Sequence, residues 1–156
     1  MFCWYSVCPV IFSKRALSES PTLWGRYFFE NFDSTLHLAR RYKSAFSVVI
    51  FDIDYFKRVN DSYGHLTGDN VLKTIALRLN DMVREADIPA RFGGEEFIFL
   101  LSETDLSGAA KVAEKIREEI SCLNFSDGGG KTFRITASFG ISSYMDETGQ
   151  RIKIEF

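Results

Sequence analysis

The feature that most constrains this chain is the run Phe46-Ser-Val-Val-Ile-Phe51, aromatic or β-branched at all but one position and followed at once by Asp52-Ile-Asp54. So short and nearly continuous an apolar run reads as a strand covered on both faces, since a half-covered strand would alternate with polar residues. It belongs in the middle of a sheet, and it delivers two carboxylates to the sheet's end.

Other segments can be arranged around that strand. Phe28, Phe29, Phe32, Leu36 and Ala39 recur with helical spacing up to Tyr42, after a breaker-rich stretch from Ser18 to Pro21. A short helix is expected over Phe56 to Tyr63, with Gly64 and Gly68 breaking the chain before a longer helix from Asp69 to Arg84. Val71, Leu72, Ile75, Ala76, Leu79, Met82 and Val83 form the buried stripe of that longer helix. Ile88 to Phe92 and Glu96 to Leu101 read as two strands of a hairpin bent at Gly93-Gly94, which places Glu95 and Glu96 at the bend. A further helix is expected from Leu106 to Leu123, a loop from Asp127 to Gly130, and a half-covered strand from Arg134 to Ser142. Hairpins mixed with helical crossovers point to an α+β sandwich, one sheet flanked by helices.

Length and charge narrow the function. A chain of 156 residues has room for one domain and one core. A net charge of −2 offers no basic field for wrapping nucleic acid, whose binding depends on neutralising many phosphates. Cys3, Cys8 and Cys122 form no Cys-x-x-Cys pair, which fits a reduced, cytoplasmic setting without zinc. The apolar stretch Met1 to Phe12 is too short to span a bilayer as a helix. It reads as the end of a membrane segment with Lys14 and Arg15 on its cytoplasmic side, a packing arm, or an artefact of gene boundaries.

Asp52, Asp54, Glu95 and Glu96 would repel one another if the sheet gathered them. Such a cluster is stable mainly when a cation neutralises it, and Mg²⁺ commonly takes one or two carboxylates together with substrate phosphates. The plainer reading is that Asp54 caps the following helix and Glu96 is a solvated edge residue.

The combination of motifs goes further. Phe51-Asp-Ile-Asp-Tyr-Phe-Lys57, Asn60-Asp61, Gly64-His65-x-x-Gly68-Asp69, Arg91-Phe-Gly-Gly-Glu-Glu-Phe97 and Thr136-Ala-Ser-Phe-Gly140 follow one another over about ninety residues. In this order and spacing they closely resemble the GGDEF family of diguanylate cyclases, with Glu95 in place of the Asp of the family's name, over roughly Arg26 to Ser143. The resemblance implies a nucleotidyl-cyclase-like fold with a ferredoxin-like core and a central, mainly antiparallel sheet. It implies condensation of two GTP into cyclic di-GMP and two pyrophosphates by a homodimer, with Mg²⁺ or Mn²⁺. The metals would be held by Asp52, Glu95 and the carbonyl of Ile53, all hard oxygen donors. The amides of Tyr55 and Phe56 and the ammonium of Lys57 would cradle the triphosphate, while Asn60 and Asp69 read guanine. Glu95 and Glu96 are the implied catalytic acids, Glu96 helping to deprotonate the attacking 3′-hydroxyl.

Arg84-Glu-Ala-Asp87 ends six residues before Gly93 and looks like the family's Arg-x-x-Asp product-inhibition site, with Lys115 adding charge. The plainer alternative is an Arg near a helix terminus followed by an Asp. His65, alone in a glycine bend, is expected to order its loop. Gly128-Gly-Gly-Lys-Thr132 fails as a phosphate loop because Phe125 stands where the first glycine is required.

Two departures from the family pattern shape the expected organisation. Glu19 to Arg26 keeps only fragments of the usual opening motif, and the family's closing Ala-Asp-x-Ala-Leu-Tyr-x-Ala-Lys helix is not found before Phe156. The expectation is therefore an N-terminal segment over 1–25 and a C-terminally truncated GGDEF-like domain over 26–156. A cyclase and a non-catalytic module binding GTP or cyclic di-GMP are the two functions carried forward; Asn60 and Asp69 disfavour adenine.

Overall fold

The computed structural model of the chain describes residues 10–11, 21–144 and 152–155. Cys3, Cys8, Lys14 and Arg15, on which part of the sequence reading rests, lie outside them. The elements run β1 (Val10–Ile11), α1 (Pro21–Tyr42), β2 (Phe46–Ile53), α2 (Phe56–Tyr63), α3 (His65–Met82), β3 (Ile88–Arg91), β4 (Glu96–Leu101), α4 (Leu106–Cys122), β5 (Phe125–Ser126), β6 (Thr132–Phe133), β7 (Ala137–Tyr144) and β8 (Ile152–Glu155).

Six strands form one sheet in the order β1-β3-β4-β2-β7-β8, and β5 with β6 makes a separate hairpin. Every neighbouring pair in the large sheet is antiparallel. As its apolar run requires, β2 is central, with one face buried and the other largely covered. Val49, Phe51 and Ile53 face a core shared with α2, α3 and α4, whereas Phe46, Val48 and Ile50 face a second core shared with α1. The sandwich is thus the α+β architecture expected, a sheet with helices on both sides.

Phe51 sits at the middle of an aromatic ladder. Its register partners are Phe97 on β4 and Phe139 on β7, and the ring centroids lie 4.9 and 4.8 Å away, nearly parallel in both cases. A slip of one residue would turn every β2 side chain to the opposite face, so this ladder fixes the register.

Several boundaries differ from the sequence expectation. Gly64, with φ of +84°, breaks the chain between α2 and α3, but Gly68 does not: α3 starts at His65 and runs through it. Gly68 is there for close approach, since a Cβ at this position would lie 2.0 Å from Oδ1 of Asn60. The strand expected from Arg134 begins at Ala137. Alternation alone could not mark its start, because the apolar Ile135 precedes the first paired residue. Two strands had no sequence signal: β1 pairs with β3, and β8 pairs with β7. Among the described residues no helix is long and apolar enough to cross a membrane.

Phe51→Ala should cost about 3–5 kcal/mol of folding stability, the range for deleting a buried aromatic side chain. Urea unfolding monitored by circular dichroism checks it; a loss below about 1 kcal/mol would mean that the ladder does not hold the central strands.

Candidate active site

The carboxylates gather at one end of the three central strands. Asp52, near the end of β2, stands directly opposite Glu96 on β4 and Ser138 on β7. Glu95 occupies the turn before β4, where its carbonyl accepts the amide of Ile53 at 3.3 Å. The Glu96 side chain folds back over Gly93, where a Cβ would meet Oε2 at 2.5 Å, so the first glycine of the turn makes room for it.

Like charges opposed across strands repel, and Asp52 registers this. Burial, followed by the charges of Glu95, Glu96 and Asp54, pushes its carboxyl up to about 6 from the usual 3.8. Asp54 differs from its neighbours. Its carboxylate accepts the hydroxyls of Thr136 and Ser138, the latter at 2.7 Å, and its amide donates to the Thr136 carbonyl at 3.0 Å. Asp54 therefore ties the end of β2 to β7, whereas Asp52, Glu95 and Glu96 accept no side-chain hydrogen bond among the described residues. The cap expected of Asp54 toward the next helix is not formed; it is Tyr55 that stands at the N-cap of α2.

Among the described residues no three His, Cys, Asp or Glu side chains come together into a metal cage of their own. The donors do fit a hard divalent ion shared with a ligand. Asp52 and Glu95 offer carboxylate oxygens, Ile53 is held beside Glu95 by a backbone bond, and the excess negative charge calls for a cation.

Next to the acids, the chain enters α2 through Tyr55 in the left-handed conformation, with φ of 55°. That conformation is unfavourable for a non-glycine residue, and such strain concentrates at functional sites. The amides of Tyr55, Phe56 and Lys57 donate to no acceptor among the described residues, as expected of an open helix N-terminus. Phe56 is buried and anchors the turn, while Lys57 is exposed. One helical turn on, Asn60 lies against Gly68, and Asp69 follows, exposed, on α3. His65 is exposed at the first position of α3.

Arg91 is the functional residue to which sequence reasoning gave no role. From the end of β3 its Nε donates to the carbonyls of Gly93 and Gly94, both at 3.1 Å, and Nη2 donates to Gly94 as well. Burial lowers its pKa, while the nearby charges of Asp69 and Glu95 raise it. The guanidinium thus clamps the glycine turn from between two acids on different elements. Its place two residues before the glycines was the only available signal.

The remaining predicted residues form a separate spot. Arg84 and Asp87 share a tight turn after α3: the Arg84 amide donates to Oδ2 of Asp87, and the Asp87 amide donates to the Arg84 carbonyl, each at 3.1 Å. Oδ1 of Asp87 is buried, and the backbone of Ser102 lies near enough to the carboxyl to favour its charged form. Burial raises the Asp87 pKa. Lys115 is exposed on α4 and makes no hydrogen bond or ion pair with either among the described residues.

Opposed carboxylates thus stand beside an open helix N-terminus. Comparison with known proteins names the class. The family described as "Diguanylate cyclase, GGDEF domain" matches residues 23–154, and the chain belongs to it. The response regulator PleD of Caulobacter vibrioides is 39% identical over 123 residues, covering 78% of this chain and 27% of PleD. Diguanylate cyclase A of Treponema denticola is 42% identical over 110 residues, covering 70% of this chain and 29% of that protein. The chain thus spans less than a third of the length of these relatives. Among solved structures, the GGDEF domain of DgcB from Caulobacter crescentus in complex with c-di-GMP superposes with a TM-score of 0.73 at 29% identity, covering 77% of this chain and 71% of that one.

Because folding raises the Asp52 pKa, the native state holds that proton more tightly than the unfolded chain. The associated stabilisation is full below about pH 4 and is lost as the pH rises through about 6. In EDTA at pH 8, Asp52→Asn should stabilise the fold by on the order of 1 kcal/mol after allowance for partial exposure, and the gain should vanish near pH 4. Denaturant unfolding at the two pH values checks the sign.

Proposed function

We propose that this chain is the catalytic domain of a diguanylate cyclase, joining two GTP molecules into cyclic di-GMP with release of two pyrophosphates. The observation that carries this reading is the opposition of Asp52 and Glu96 across the central strands, with Glu95 held to Ile53, beside the open amides of α2. Mg²⁺ or Mn²⁺, held by Asp52, Glu95 and the Ile53 carbonyl, would supply charge neutralisation of the triphosphate and acidify the attacking hydroxyl.

The chain's own groups would do the rest. Amides at Tyr55 and Phe56, with the Lys57 ammonium, hold the phosphates. Asp69 accepts from the N1 and N2 edge of guanine while the Asn60 amide, fixed by its contact with Gly68, complements the remaining edge. Adenine presents the opposite pattern. Glu96 accepts the proton of the 3′-hydroxyl as its oxygen bonds to the α-phosphorus of the second GTP and the bond to pyrophosphate breaks. Two such bonds close the ring. One chain offers one site of this kind, so two chains face each other in a homodimer, each presenting one GTP. The supply of GTP places the work in the cytoplasm.

Feedback by the product is part of the same proposal. The Arg84 guanidinium suits phosphate or guanine, and the Asp87 carboxylate suits the donors of a guanine edge. Lys115 would add charge toward the same ligand.

With Mg²⁺ and GTP the purified chain should form cyclic di-GMP, and Glu95→Gln should lower the rate by at least about a hundredfold. Arg84→Ala should let product accumulate well beyond the level at which the parent chain stalls. No product, alongside cyclic di-GMP binding that requires Arg84, would make the chain a binding module instead.

A further inference from the structure

A cavity of about 410 Å³ opens between α2, the end of α4 and the segment from Phe133 to Thr136. Of the residues assigned to GTP or metal it touches only Tyr55. Two guanidiniums line it, Arg58 from α2 and Arg134 from beyond the β5–β6 hairpin, and neither makes an ion pair among the described residues. Arg58 lies over the Tyr55 ring at 5.5 Å. Arg134 uses Nε to donate to Oδ1 of Asn124 at 2.9 Å, which leaves its two terminal nitrogens unpartnered among the described residues.

The one carboxylate in the lining, Asp54, is held by the Thr136 and Ser138 hydroxyls and sets a single negative charge against two arginines. The pocket keeps a net positive charge. Its apolar wall comes from Tyr63 and Phe133, stacked with centroids 4.1 Å apart. Two unpaired arginines from separate elements facing one cavity suit an anion with several oxygens, because each planar fork can hold two of them. The volume falls within the roughly 300–1,000 Å³ of small-ligand sites.

We propose that this cavity binds a small phosphate-bearing anion, gripped by Arg58 and Arg134, with the Tyr63–Phe133 stack receiving any planar organic part. Arg58 and Tyr55 both belong to the start of α2, so occupancy would be felt at the adjoining phosphate-holding turn and would act as a regulatory input.

The test is calorimetric titration of the whole chain with inorganic pyrophosphate in EDTA, where the metal-free carboxylate cluster repels anions. One binding event is expected. Arg134→Gln and Arg58→Gln should each weaken it at least tenfold, while Lys57→Ala changes it less than twofold. Asn124→Ala removes the same hydrogen bond as Arg134→Gln but keeps the guanidinium, and should leave binding intact; a loss there would assign the Arg134 effect to the hairpin's shape and overturn the site. Titration with AMP separates the two sources of phosphate: tighter binding than pyrophosphate identifies a nucleotide, weaker binding the free anion. No binding at millimolar pyrophosphate, binding indifferent to Arg134, or binding lost with Lys57 would each sink the proposal.

Discussion

The stacking of Phe51 between Phe97 and Phe139 is the interaction on which the rest of the structure depends. It locks β4, β2 and β7 into one register from the face covered by α2, α3 and α4, and the next residue along β2 inherits the consequence on the other face. Asp52 must lie opposite Glu96 because Phe51 lies opposite Phe97. Apolar packing thus imposes an electrostatically unfavourable pair that no carboxylate pairing preference would choose. The site's geometry is a by-product of core register, and that keeps it rigid.

The charges so trapped are treated unequally. Asp54 is satisfied by two hydroxyls and a backbone bond from β7, which makes it part of the scaffold. Asp52 and Glu96 have no comparable relief, and Glu95 is held by its carbonyl, which leaves its side chain free. Positive charge near the turn comes from Arg91, but its donors are directed at glycine carbonyls. It shapes the turn and shares its charge with Glu95 and Asp69, and it does not offset the repulsion felt at Asp52. The molecule has organised the backbone of this corner completely while leaving its charge unbalanced, the condition expected of a site completed by a bound cation and a phosphate ligand.

Much of this was legible from the chain alone. The unbroken apolar run announced a central strand, Gly93-Gly94 announced the hairpin, and helical spacing located α2 and α4 closely. Gly68 was misleading because propensity treats glycine as a breaker, whereas here tertiary contact with Asn60 decides. The two-residue β1 and the late β8 carry no periodicity that local pattern could register, since their pairing partners lie far away in sequence. The acids were readable as a group, but their division into Asp54 and the others was not. That division depends on hydroxyls eighty-odd residues away that only folding brings near. Arg91 went unassigned for the opposite reason: its partners are backbone carbonyls two and three residues on, and sequence does not show where carbonyls point.

The strain at Tyr55 closes the argument about why the two ends of this corner belong together. A residue held in the left-handed region is costly, and it persists only if its surroundings fix it from both sides. On one side Asp54 is pinned to β7, and on the other Phe56 is buried in the core, so the intervening residue has nowhere else to go. The consequence is that the first amides of α2 are left without an acceptor among the described residues. Releasing Asp54 from β7 would let Tyr55 relax and would scatter those amides. A carboxylate bonded to β7 therefore controls the conformation of the turn that opens α2.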